Sequence, residues 1–270
     1  MGIQTESAQR TKRNEDEMGQ LEGKSALVTG ATSGIGRAIA TKLVAEGAHV
    51  FATGRRQTEL DEIVGELGDA VTAVRSDISD LDDLDRVFSA VQERGQGLDL
   101  VVANAGVGTF ASLEQLTPEG FDYTFNANVR GTVFTVQKSL PFLGPGASVV
   151  VTGSTSASRA TATFGVYSAS KAALRQFTRT WAIELAARDI RVNMIVPGPT
   201  DTPGLAGLAG DPVADREKVQ ALLEQEASHV PLGRLGRPSE LADAVVFLAS
   251  EQAAFITGSE LFVDGGQSKI

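Results

Sequence analysis

The stretch Ser25-Ala26-Leu27-Val28-Thr29-Gly30-Ala31-Thr32-Ser33-Gly34-Ile35-Gly36 decides how the whole chain is read. Ser25–Thr29 is a short run with apolar side chains at consecutive positions, the pattern of a strand buried on both faces. Gly30 then permits a tight turn. Gly34 lets a bound anion approach the backbone, and Gly36 lets helix and strand pack with no Cβ between them. Beyond the turn, Ile35, Ile39 and Leu43 recur every four residues, which marks one face of a helix. Such a helix offers free N–H groups and the positive end of its dipole at Thr32, Ser33 and Ile35, a ready place for phosphate.

The same alternation repeats outward from this unit. Further strands are predicted at His49–Thr53, Val71–Arg75, Leu98–Ala103, Ser148–Thr152, Arg191–Val196 and Leu261–Val263. Helical stripes lie between them: Leu81, Leu84, Val87, Phe88 and Val91 form one, and Tyr167, Lys171, Leu174 and Thr178 another. Strand–helix–strand repetition implies right-handed crossovers, hence a Rossmann-type, doubly wound α/β fold. Its seven-stranded parallel sheet would form the middle of three layers in one domain over residues 21–270. The segment from Pro197 to about Pro238 is rich in Gly, Pro and Ala, then helical from Asp215. It reads as a lid over a site, spanning about 198–237. Residues 1–20 have few large apolar side chains and mixed charge, and read as a disordered leader without the apolar core of a secretory signal.

Composition removes several function classes. The chain has 270 residues, 34 acidic against 24 basic side chains and a formal net charge of −10, so a nucleic-acid partner is not expected. No run approaches the ~18 consecutive apolar residues of a membrane span. Cysteine is absent and there are two histidines, His49 and His229, which excludes disulfides, thiolate catalysis and cysteine- or histidine-rich metal sites. A cytoplasmic location is expected. His49 sits in a strand and reads as packing; His229 is assigned no role. Asp80, Asp82, Asp83 and Asp85 look like a solvated helix start, where acids suit the dipole.

The segment Thr29-Gly30-Ala31-Thr32-Ser33-Gly34-Ile35-Gly36 resembles the TGxxxGxG fingerprint of the short-chain dehydrogenase/reductase family, and further motifs follow in order from Leu21 onward. The resemblance implies a nicotinamide dinucleotide cofactor. A carboxylate at the end of the second strand suits a bare ribose, whereas a 2′-phosphate calls for arginine. Here that strand ends Ala52-Thr53-Gly54-Arg55-Arg56. No acid is present, Gly54 leaves room, and Arg55 and Arg56 can face a phosphate. NADP(H) is therefore expected over NAD(H), with solvated surface arginines as the plainer explanation. By resemblance, Asp77 and Ile78 contact the adenine and Asn104-Ala105-Gly106 line the cofactor. Pro197-Gly198-Pro199-Thr200-Asp201-Thr202 resembles the segment under the nicotinamide, with Thr200 toward the carboxamide and Thr202 toward phosphate.

Tyr167 and Lys171 stand at i and i+4 on one helix face. A phenol with an ordinary pKa near ~10 is a poor base at neutral pH, and a neighbouring ammonium is expected to lower it. It could then donate a proton to a carbonyl oxygen or take one from an alcohol. Ser154 follows the fifth strand, where ligands of open α/β sheets bind, and is placed to donate to the substrate oxygen. A turn or N-cap serine is the competing explanation. Ser154, Tyr167 and Lys171 match the family's catalytic set in type, order and spacing. Asn128, in Asn126-Ala127-Asn128-Val129-Arg130-Gly131, matches its fourth position, which holds a proton-relaying water; Asn126 is a nearby competitor. Lys171 would also bind the nicotinamide ribose, by resemblance.

Pocket walls are expected from Val107 to Phe110, Thr155, Ser156, Arg159 to Phe164 and Leu205 to Leu208, suiting a small carbonyl or secondary-alcohol substrate. The family implies a homotetramer built on the helix of Phe177, Trp181 and Leu185 and on the last strand with Asp264-Gly265-Gly266. Two other functions remain open from sequence: an NAD-dependent polyol or hydroxysteroid dehydrogenase, and a catalytically silent dinucleotide-binding sensor.

Overall fold

The computed structural model describes residues 19–211 and 213–268. Seven strands form one all-parallel sheet: β1 (Ser25–Val28), β2 (His49–Gly54), β3 (Val71–Arg75), β4 (Leu98–Ala103), β5 (Leu143–Thr152), β6 (Arg191–Pro197) and β7 (Glu260–Val263). Their order across the sheet is β3-β2-β1-β4-β5-β6-β7. The order reverses between β1 and β4, so the crevice for a ligand opens beyond the carboxyl ends of those two strands.

Helices cover both faces. On one lie α1 (Gly34–Ala45) and a late helix, Pro238–Ala249; on the other lie α3 (Leu81–Arg94), α5 (Gly131–Ser139) and α6 (Gly165–Leu185). The strands supply both cores. Leu100, Val102 and Val150 pack with Ile39, Leu43, Leu241 and Val245. Their sequence neighbours Val101, Val149 and Val151 pack the other way, with Val87, Val91 and Leu174. This two-sided burial explains why the strands read as continuous apolar runs rather than alternating ones. The remaining helices are α2 (Gln57–Leu67), α4 (Pro118–Phe125), α7 (Pro203–Ala206), α8 (Arg216–Ser228) and α9, the Pro238–Ala249 helix just mentioned.

Three differences from the sequence expectation have physical reasons. β5 begins at Leu143, not Ser148: Gly144-Pro145-Gly146 looks like a turn, yet Leu143 pairs with Leu98 and a register irregularity absorbs the extra residues. Of the expected leader, residues 1–18 lie outside the described residues. Gly19 and Gln20 already belong to the fold, since the Gln20 N–H donates to Glu46 Oε2 (3.1 Å) and the Leu21 N–H to the Glu46 carbonyl (2.9 Å). The segment 198–237 holds α8, expected from Asp215, and one further short helix, α7, which Thr202 caps. No helix among the described residues is long and apolar enough to cross a membrane.

Candidate active site

The β1–α1 turn is shaped as a cradle. Gly30 and Gly34 have φ of +67° and +53°, the left-handed region that disfavours side chains. A Cβ on Gly36 would lie 2.1 Å from the Gly30 carbonyl oxygen and 2.5 Å from Asn104 Nδ2. Ser33 occupies the N-cap of α1 in extended conformation and makes no side-chain cap, so the first N–H groups of the helix are left to a ligand. Asn104 holds the cradle to the sheet. Its amide donates to the Thr29 carbonyl (3.0 Å), and its oxygen accepts from the Thr152 hydroxyl (3.2 Å).

Two cavities run along the crevice and share Ile35, Asn104, Gly106, Val107 and Thr202 in their walls. The smaller, about 270 Å³, is walled by Gly30, Thr32, Ser33, Gly34 and Gly36 on one side. Arg55, Arg56, Asp77, Ile78 and Ala105 complete it. Arg56 is tied to Glu59 (2.5 Å). The Arg55 side chain has no partner among the described residues, which leaves it as the free cation at this end. Gly54 lines this cavity, as the sequence led us to expect, and it also makes room for Thr32, whose methyl a Cβ there would meet at 2.4 Å.

The larger cavity, about 620 Å³, is walled by Ser154, Tyr167, Lys171, Pro197, Gly198 and Thr200, among others. Ser154 accepts from the Ser156 N–H (3.2 Å), capping the turn Thr155–Ala157, and also hydrogen-bonds Tyr167. The turn-capping explanation of this serine therefore holds, and the same residue stands in the cavity wall beside Tyr167. Lys171 is 3 % exposed, and its Nζ donates to the Thr152 carbonyl (2.9 Å) and lies 5.7 Å from the Tyr167 ring centroid. Burial lowers its pKa to about 8. Burial raises the Tyr167 phenol above its ordinary value, with the Ser154 hydrogen bond opposing in part. The expectation that the lysine leaves the phenol with a lowered pKa is thus corrected: desolvation outweighs the Ser154 hydrogen bond that opposes it, and burial likewise disfavours the lysine's charged form.

Asn128 lines neither cavity. It is fully buried, in a π-helical turn (Asn126–Arg130) that joins α4 to α5. The Val107 N–H donates to its Oδ1 (2.7 Å), and its Nδ2 donates to the Val107 carbonyl (2.9 Å) and to Ser170 Oγ (3.0 Å). Both amide donors are spent, which leaves one oxygen lone pair for a water. Thr200 donates to the Gly198 carbonyl (3.0 Å) and is committed to its own loop. Thr202 caps α7, accepting from the Leu205 N–H (3.1 Å), and stands against Gly34 where the two cavities meet.

Every pocket wall expected from sequence is represented. Phe110, Phe164 and Tyr167 form a ladder of rings, with centroids 4.7 Å and 4.4 Å apart. Sequence reasoning missed Leu222, Gln225, Glu226 and His229 of the lid, and Gln267, whose Oε1 accepts from the Thr155 hydroxyl (2.9 Å). The i, i+3, i+4, i+7 spacing of the lid residues was available as a signal of a shared face. His49 is packing, as expected: it is buried, edge-on to Phe51 and bonded to Thr72 (2.9 Å). Asp80 caps α3 through the Asp82 N–H (2.9 Å). No cluster able to hold a metal ion occurs among the described residues.

Comparison with known proteins adds four findings. A family model described as enoyl-(acyl carrier protein) reductase matches residues 30–268. An oxidoreductase of Sarocladium schorii is 39 % identical, with 93 % of this chain and 98 % of that protein covered. A short-chain dehydrogenase/reductase of Pestalotiopsis microspora is 36 % identical, covering 92 % of this chain and 96 % of its own. Among solved structures, a 3-ketoacyl-(acyl-carrier-protein) reductase from Brucella melitensis complexed with NADH superposes with a TM-score of 0.82. It is 34 % identical, with 92 % of this chain and 99 % of that chain covered.

Proposed function

The chain belongs to the short-chain dehydrogenase/reductase family of NAD(P)-dependent oxidoreductases, and from that premise we propose that it interconverts a ketone and a secondary alcohol with NADP(H). One observation carries this reading: Ser154, after β5, and Tyr167 and Lys171, one turn apart on α6, wall one cavity that shares its walls with the glycine cradle. The cradle fits a dinucleotide, because its glycines leave space where side chains would collide and its helix presents unpaired N–H groups.

Bound nicotinamide supplies the hydride donor or acceptor. The chain's own residues manage the proton. Tyr167 is protonated at neutral pH and gives its phenolic proton to the carbonyl oxygen as negative charge develops there, or takes it back from the alcohol. Ser154 donates its one hydroxyl proton to the same oxygen. Lys171, mostly an ammonium below pH 8, favours the phenolate electrostatically and so eases proton release. Gly30, Thr32, Ser33, Gly34, Ile35 and Gly36 would hold the pyrophosphate, and Asp77 and Ile78 the adenine. Asn104, Ala105 and Gly106 would hold the nicotinamide half, with Pro197, Gly198 and Thr202 beside it. The preference for NADP(H) is supported by Arg55, an unpaired guanidinium at the end of β2 with no carboxylate beside it on that strand.

The test is Tyr167→Phe assayed with a panel of ketones and alcohols at the nicotinamide absorbance. Turnover should fall at least ~100-fold, while dinucleotide affinity stays within a few fold. A variant that turns over normally removes Tyr167 from the mechanism. Wild-type protein that binds dinucleotide but turns over nothing on the panel favours the sensor function.

A homotetramer in the cytoplasm completes the proposal. Exposed Ile183 on α6 (80 %) and Phe255 next to the edge strand β7 (104 %) support twofold contacts there. Light scattering that returns a monomer mass overturns it.

A further inference from the structure

The cavity of Ser154 and Tyr167 has a second chemistry, contributed by α8. Leu222, Gln225, Glu226 and His229 wall it, and their spacing places them on one helical face. None of the three polar side chains has a hydrogen-bond or ion-pair partner among the described residues. Elsewhere on α8 the polar groups pair among themselves, Gln220 with Glu224 (2.7 Å) and Lys218 with Asp215 (2.7 Å). An acceptor carboxylate, an amide and an imidazole thus stand unspent around the same space as the reacting groups. The rest of the lining mixes hydroxyls, amides and Arg159 with an apolar set. Leu205, Leu208, Leu222 and Phe110 contribute to it, and Phe110 is the open end of the ring ladder, 45 % exposed.

We propose that the inward face of α8 reads the substrate, and that the substrate is a ketone with an apolar ring body carrying a hydroxyl group away from the reacting carbon. The proposal rests on the oxidoreductase reading above. Glu226 accepts from the substrate hydroxyl, and Gln225 and His229 complete its hydrogen bonds. Gln225 and His229 are exposed and Glu226 is half-buried in this structure, so a substrate seated over them buries them, and a plain hydrocarbon ketone would leave them unpaired, which is how polar sites reject an analogue lacking the hydroxyl. A carboxylate or phosphate at this wall would meet Glu226, a like charge.

The test compares α-tetralone with the same ketone bearing one ring hydroxyl, in wild type, Glu226→Leu and His229→Phe. Wild type should favour the hydroxylated ketone ~10- to 100-fold in kcat/KM, the range of a hydrogen bond to a charged group. Both variants should bring that ratio toward one. A wild-type ratio near one, or a ratio that neither variant moves, overturns the proposal. So does a preference for a carboxylated analogue that disappears in Arg159→Ala, because Arg159 lines the same cavity and would then be reading an anion. Isothermal titration of the same ketones into Tyr167→Phe separates binding from chemistry. Preferential binding of the hydroxylated ketone without wild-type turnover sustains the α8 assignment and sinks the redox one. Equal binding, or none, overturns the α8 assignment.

Discussion

Replacing Lys171 by Met should make the protein more stable at neutral pH while abolishing turnover. Lys171 is buried, and its ammonium is held at about 8 instead of the ordinary 10.5. At pH 7 both the native and unfolded chains carry the proton, so the full desolvation cost is present, about 3 kcal/mol. Between pH 8 and 10.5 the native lysine has released its proton while the unfolded one still binds it. The unfolded state then holds more protons, and wild-type stability rises with pH. The cost fades to about 2 kcal/mol at pH 9 and below about 1 kcal/mol at pH 10. Met fills similar space without charge but leaves the Thr152 carbonyl unpaired, a loss of about 1 kcal/mol at any pH. The variant should therefore gain about 2 kcal/mol at pH 7, or ~4–8 °C in Tm for a chain of this size, and roughly match wild type at pH 10. Urea unfolding without ligand, at fixed protein concentration from pH 7 to 10, reads the difference. Tyr167 does not confuse it, because burial moves that phenol upward, beyond the window. A variant no more stable than wild type at pH 7, or a gain that does not narrow with pH, refutes the claim that burial of this cation is a cost the fold carries.

Gly36→Ala should destroy dinucleotide binding, because the new Cβ would lie 2.1 Å from a backbone oxygen that cannot give way; fluorescence titration with NADPH checks it, and near-normal affinity would show that the turn is softer than its packing implies. Arg55→Ala should raise the Kd for NADPH ~10- to 100-fold and leave NADH within ~2-fold; equal effects on both would remove Arg55 from the phosphate. Asn128→Ala strips partners from the Val107 N–H and carbonyl and should cost about 2–5 kcal/mol by urea unfolding; a loss under about 1 kcal/mol would mean that water replaces the amide.

The strands were legible because burial on both faces writes itself locally: Val101 and Val102 face different cores, and neither position tolerates a polar side chain. The glycine turn was legible for a similar reason, since Gly30, Gly34 and Gly36 are each required by backbone shape or contact at that point. β5 was misjudged at its start because Gly144-Pro145-Gly146 carries strong turn chemistry that tertiary pairing overrides. The lid was harder. Composition marks it as irregular, yet which side of α8 faces the reacting groups depends on how the whole segment lies across the crevice. His229 consequently looked like an isolated histidine, although it stands in the wall of the cavity. The direction of the Tyr167 shift was hidden too: a lysine one turn away can be read from spacing, but the burial that raises the phenol's pKa is set by the folded chain around it.

Asn128 joins these levels. In a regular helix its amide would compete with the backbone and weaken the element. In the π-helical turn it spends both donors and one acceptor on Val107 and Ser170, so it ties the loop after β4 to the helix that carries Tyr167 and Lys171. Ser170 in turn donates to the Tyr167 carbonyl (2.7 Å). A Cβ on Gly106 would come 3.2 Å from Asn128 Oδ1 and 3.4 Å from Lys171 Nζ, which shows how closely the amide and the ammonium share this corner. An amide with no free N–H cannot pass a proton through its nitrogen. Its oxygen keeps one free lone pair, and its three hydrogen bonds hold Val107 and α6 at a fixed separation. Asn128 is therefore a positioning residue for the helix of Tyr167 and Lys171, and a variant that loses the clamp must lose stability.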